Sequence, residues 1–93
     1  MSALEPFLGA WRQVRPDTAP AQISVIFEEG GVMTYVVAMN GEQRFSLRWS
    51  VDGETLISVD QSGRKSTSPF RFASPTMLVL DRDDGRYVYR RDE

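Results

Sequence analysis

Acidic side chains gather at the turns of this chain: Glu28, Glu29, Asp52, Glu54, Asp81, Asp83 and Asp84. Carboxylates can work as general acid and base, or hold a hard cation through oxygen ligands. Neither pattern is complete here. Asp81-Arg82-Asp83-Asp84-Gly85 has a faint likeness to a calcium loop, but lacks the spaced ligands and the closing glutamate. Ser46, Ser58, Ser62, Ser66, Ser68 and Ser74 offer hydroxyls, yet the chain has no histidine to activate one and no Gly-x-Ser-x-Gly elbow. The absence of cysteine removes thiolate chemistry and disulfides and suits a reducing, cytoplasmic setting. The expectation is a protein that is not an enzyme and needs no metal or other cofactor.

Positive charge follows a different layout. Arg44, Arg48, Arg64, Lys65 and Arg71 fall on or beside strand-like segments, a strip that could track a single-stranded nucleic acid if aromatics stacked beside it. The formal net charge of −2 and the neighbouring acids dilute that field. A solvated, edge-protecting face is the better reading, and a nucleic-acid partner is not expected.

The elements that position these side chains are short strands. Gly9 to Val14 forms the first and carries Trp11; Arg15 to Ala21, with two prolines, forbids regular structure after it. Gln22 to Glu28 places Ile23, Val25 and Phe27 on one face. Val32 to Met39 is apolar on both faces around Tyr35-Val36-Val37. That points to a covered outer side or a contact surface at Val36 and Ala38. Asn40-Gly41 marks a hairpin, because a type I′ turn needs positive φ at both central residues.

Arg44 to Val51 alternates most clearly, with Phe45, Leu47, Trp49 and Val51 on one face. Strands then follow over Glu54 to Asp60, Arg64 to Ala73, Thr76 to Arg82 and Arg86 to Arg91, separated by Gly- and Pro-bearing turns. Residues 4–8 form at most one loose helical turn or an arm. With 93 residues the chain holds one domain. The pattern predicts an all-β fold: an antiparallel up-and-down meander of about eight short strands, closed into a small barrel to remove its edges. No apolar run approaches the roughly 20 residues that cross a bilayer, and the first residues do not read as an export signal. No membrane partner is expected.

Leu8-Gly9-Ala10-Trp11 resembles the opening Gly-x-Trp motif of the lipocalin-like (calycin) barrels, and Arg90 or Arg91 resembles the last-strand arginine of that family. In length the chain is similar to compact bacterial lipocalin-like domains. The resemblance implies that Trp11 plugs a closed end with the arginine packed across its ring. By parity Arg91 is favoured over Arg90, since it shares a face with Tyr87 and Tyr89. Trp49 joins Trp11 as filling of that end.

The resemblance also implies an open mouth partly covered by the Arg15–Ala21 loop. Strand direction puts the inward residues Ile23, Val25, Val37, Met39, Phe45, Leu47, Leu80 and Tyr87 at that mouth, an apolar set with one phenol. A small hydrophobic ligand is the first expectation for function. The second, from a different class, is a protein-interaction module that pairs as a homodimer or takes a partner through the Val36–Ala38 face.

Overall fold

The computed structural model describes residues 5–92. Eight antiparallel strands follow one another in chain order and close into a barrel: β1 (Gly9–Arg15), β2 (Gln22–Glu28), β3 (Val32–Ala38), β4 (Glu42–Asp52), β5 (Thr55–Val59), β6 (Lys65–Ser74), β7 (Met77–Arg82) and β8 (Gly85–Arg91). Closure comes from β1 pairing with β8, where Trp11 lies opposite Arg91 and Gln13 opposite Tyr89. Each edge strand thereby satisfies the other's backbone groups, which an open eight-stranded sheet would leave exposed. The architecture is compatible with a calycin-like fold.

One end is plugged. A single turn of 3-10 helix, Glu5–Phe7, brings Phe7 into the barrel at 0% exposure. Its ring meets Phe27 at 5.3 Å, Trp49 at 5.5 Å, Phe70 at 4.7 Å and Phe72 at 5.0 Å between centroids. Such tilted and edge-on aromatic pairs add about 0.5–1.5 kcal/mol each beyond the area they bury. This segment is the core's hub rather than a loose arm. Leu4, Phe7 and Leu8 are apolar, but a run this short carries too little periodicity to predict which side chain enters the core. Leu4, the first residue of that predicted turn, lies outside the described residues.

The indole of Trp11 is fully buried, and its Nε1 donates to the Phe7 carbonyl at 2.7 Å. Trp49 Nε1 donates to Glu28 O at 3.3 Å and Val32 O at 3.1 Å, which ties the β2–β3 turn over the same end. Both rings therefore bury their apolar bodies and still satisfy their N–H groups. Arg91 completes the plug. Its Cζ stands 4.3 Å from the centre of the Trp11 ring. Nη1 donates to Leu8 O at 2.6 Å and Nη2 to Pro6 O at 2.7 Å. Gly9 is required beneath it: its φ is +115°, and a Cβ would come within 2.9 Å of Arg91 Nη1.

Arg90 is exposed and pairs with Arg12 on the outer face, so it takes no part in the closed end. The alternation of β8 decides between the two arginines. Of the two readings of β3, a covered outer side or a contact surface, Val36 agrees with the first. It points outward but is only 8% exposed, flanked by Ser24 on one side and Arg44 on the other. The outer face of β3 is thus not an open apolar patch.

At the opposite end the barrel splays. Pairing of β4 with β5 begins only at Arg48–Val59, so residues 42–47 pair with β3 alone. Pairing of β6 with β7 stops at Phe70–Leu80, which leaves residues 65–69 and 81–82 unpaired across that seam. The closed half is filled by side chains, and the splayed half is not.

Candidate functional site: the open end of the barrel

A cavity of about 810 Å³ occupies the splayed end. Its apolar wall is built from adjacent strands: Ile23 of β2 lies opposite Val37 of β3, and Tyr35 of β3 opposite Phe45 of β4, with Leu47 next on the same face. Strand period two sends every one of these side chains inward. Phe45 is 52% exposed, because β4 has outrun its β5 neighbour and the ring stands at the rim.

Two loops border the opening. Pro16 and Thr18 contribute from the β1–β2 loop, which is braced by Gln13 Nε2 donating to Pro16 O at 3.0 Å and Thr18 Oγ1 donating to Ala21 O at 2.8 Å. Asp60, Gln61 and Ser62 contribute from the β5–β6 loop. The Asp60 carboxylate accepts from the Ser62 hydroxyl at 2.6 Å and from the backbone N–H groups of Ser62 and Arg64, each at 2.9 Å. These donors, the Ser62 hydroxyl foremost, hold the Asp60 carboxyl below its ordinary range.

The side of the cavity formed by β7 and β8 is polar. Arg82, the last residue of β7, extends inward, and its Nη2 donates to the Tyr35 hydroxyl. The guanidinium also lies over two phenol rings, 4.8 Å from the centre of Tyr87 and 5.8 Å from that of Tyr35. Tyr87 in turn donates its hydroxyl to Asp84 Oδ2 at 2.8 Å, and that bond raises its pKa. Tyr89 is 1% exposed, and among the described residues its hydroxyl has no hydrogen-bond partner; Arg82 Nε is likewise buried and unpartnered there. Burial pushes the Tyr89 phenol strongly upward, with Tyr35 adding to the effect and the Arg82 charge opposing it.

Of the mouth residues expected from parity, the structure brings together Ile23, Val37, Phe45, Leu47 and Tyr87. Val25 and Leu80 face inward but lie one layer deeper, at 3% and 2% exposure in the filled core. They belong to the packed core and do not line the cavity. Met39 is not in the wall at all. Pairing ends at Ala38–Glu42, and Met39 becomes the first residue of a three-residue turn with Asn40 and Gly41, 54% exposed. That turn breaks the alternation on which its inward placement relied.

Arg82, Tyr35 and Tyr89 were not singled out from the sequence. The signal was present: Leu78, Leu80 and Arg82 share a face, so a strand that is inward at Leu80 carries a charge inward two residues later.

A second, polar opening of about 490 Å³ lies at the unpaired β6–β7 seam, between Arg64 to Ser68 on one side and Asp83 and Asp84 on the other. Tyr35, Leu47 and Arg82 border both spaces. Among the described residues no group of three or more acidic side chains is placed to hold a metal ion, and no helix is long and apolar enough to cross a membrane. In comparisons with known proteins, no family model, curated protein or solved structure matches the chain.

Proposed function

We propose that this chain is a compact lipocalin-like binding protein, without a catalytic role, that takes a small hydrophobic molecule into its open end. The observation that carries the reading is the 810 Å³ cavity walled by Ile23, Val37, Phe45 and Leu47. Its volume falls in the range of roughly 300–1,000 Å³ typical of small-molecule sites, and its wall is apolar with few polar anchors. The closed end supports the lipocalin-like assignment. Gly9, Trp11 and Arg91 form one interlocked unit there, joined by the cation–π contact and the two carbonyl hydrogen bonds.

The chemistry at the mouth favours holding over converting. The Ser62 hydroxyl at the opening donates to the Asp60 carboxylate, but that carboxylate also accepts two backbone N–H groups of its own loop and is held below its ordinary range, which makes it a weak base for activating the hydroxyl. The alternative, a protein-interaction module, drew on an open apolar surface at Val36 and Ala38, and the 8% exposure of Val36 withdraws that support.

The test is titration of the folded protein with the uncharged fluorescent probe Nile red, repeated on Val37→Lys. Saturable binding that weakens about tenfold or more in the variant is expected, since a charge placed in an apolar wall must be desolvated by the guest. Absence of saturable binding, or equal binding by the variant, refutes the reading.

A further inference from the structure

The cavity that the proposed function rests on is not uniformly apolar, and the asymmetry identifies the class of guest. Its wall from β2 to β4 is hydrocarbon and aromatic, while the β7–β8 side presents one guanidinium beside phenols. Among the described residues, the side chain of Arg82 has a single hydrogen-bond partner, the neutral Tyr35 hydroxyl, and forms no ion pair. A charge withdrawn from water normally has a counter-charge beside it, because desolvation without one is costly. Of the acids around the guanidinium, Asp84 accepts from Tyr87, Asp81 pairs with Arg86 at 3.0 Å and Asp60 caps its own loop, while Asp83 borders the neighbouring opening with Arg82 but makes no ion pair with it.

We infer that the guest is an amphipathic carboxylate, an apolar acid whose tail lies along Ile23, Val37, Phe45 and Leu47 and whose anionic head meets Arg82. A guanidinium suits this head better than an ammonium would. Its planar fork matches two carboxylate oxygens, and it stacks on aromatic rings, as Arg82 does on Tyr87. Tyr35 fixes the direction of the fork from one side and Tyr87 from its face, so the cation is oriented before a ligand arrives. Among the described residues the Tyr89 hydroxyl and Arg82 Nε are unpartnered and leave this side of the cavity short of acceptors, which is the deficit a carboxylate relieves. The other arginine at the mouth, Arg44, is already paired with Glu42 at 3.2 Å and sits at the exposed rim.

The inference rests on the cavity being a binding site, and the experiment separates the two claims. Decanoate, decanol and decylamine share a tail and differ only in head group; each is used at neutral pH to displace Nile red from the wild-type protein. Decanoate is expected to bind roughly tenfold or more tightly than decanol, with decylamine weakest, and to lose that advantage as salt is raised.

In Arg82→Met the decanoate affinity is expected to fall about tenfold to the decanol level while decanol is unchanged; Arg44→Gln is expected to change neither by more than about twofold. Equal affinities for the acid and the alcohol in the wild type overturn the carboxylate assignment and leave the cavity reading standing. An acid preference that survives Arg82→Met, or is lost in Arg44→Gln, also overturns it. If Nile red itself shows no saturable binding, both fall together. The wild-type series decides the matter even if Arg82→Met does not fold.

Discussion

Replacing Arg91 with methionine tests the closed end directly, because it removes the charge and the fork while keeping a stem over the indole. Three interactions are lost: the cation–π contact at 4.3 Å, the bond to Leu8 O at 2.6 Å and the bond to Pro6 O at 2.7 Å. A hydrogen bond involving a charged group contributes about 1.5–3 kcal/mol, and a cation–π contact about 0.5–2 kcal/mol. The Pro6 contact is exposed, so water replaces most of it and it is given little weight. The sum is about 3 kcal/mol.

In a domain whose whole stability is expected within about 5–15 kcal/mol, that loss is large. It corresponds to a fall in Tm of about 12–24 °C for a chain of this size. Urea denaturation followed by far-ultraviolet circular dichroism measures it without relying on the fluorescence of the ring being perturbed.

Gly9→Ala supplies the second half of the test. The positive φ alone costs of order 1–3 kcal/mol for a residue with a Cβ. The 2.9 Å approach of that Cβ to Arg91 Nη1 adds a clash present only while the guanidinium is there. The double variant is therefore expected to be less destabilised than the sum of the two singles. An Arg91→Met protein within about 0.5 kcal/mol of wild type, the range of a neutral surface change, refutes the account. Strict additivity with Gly9→Ala refutes the close-contact part of it.

Phe7→Ala is expected to cost about 3–5 kcal/mol in the same urea experiment, since Phe7 is the common neighbour of four aromatic rings. Tyr89→Phe removes a buried hydroxyl that has no partner, so it should leave stability unchanged or raise it by about 1 kcal/mol, read as an equal or higher Tm. The same phenol predicts a pH dependence. Its folded pKa lies above the unfolded value of about 10. The unfolded chain therefore gives up that proton first. The stability present below about pH 10 is lost as pH rises from there through the higher folded value. Unfolding midpoints between neutral pH and strong alkali should fall less steeply in Tyr89→Phe than in wild type. Asp60→Asn should speed hydrogen exchange at the Ser62 and Arg64 amides, because both donate to that carboxylate.

The amino-acid sequence by itself determined the strands, their order and most of their facing. Apolar residues recur with period two between glycine- and proline-bearing turns, and a meander of that kind has few ways to bury one face except by closing. Parity also selects Arg91 over Arg90 beside Trp11, since a strand offers its partner only every second side chain. Three things belong to the tertiary structure alone. Phe7 became the hub of the closed end because the residues it packs against, from Phe27 to Phe72, lie 20 or more positions along the chain. Val25 and Leu80 became packed core while Ile23 and Val37 became cavity wall because depth along the barrel depends on where each pair of strands stops hydrogen bonding. Arg82 became, among the described residues, an inward charge without an ion pair for a related reason. Its face follows from alternation, but where the seven connections between strands place their acids depends on the closed barrel, and no local pattern encodes those distances.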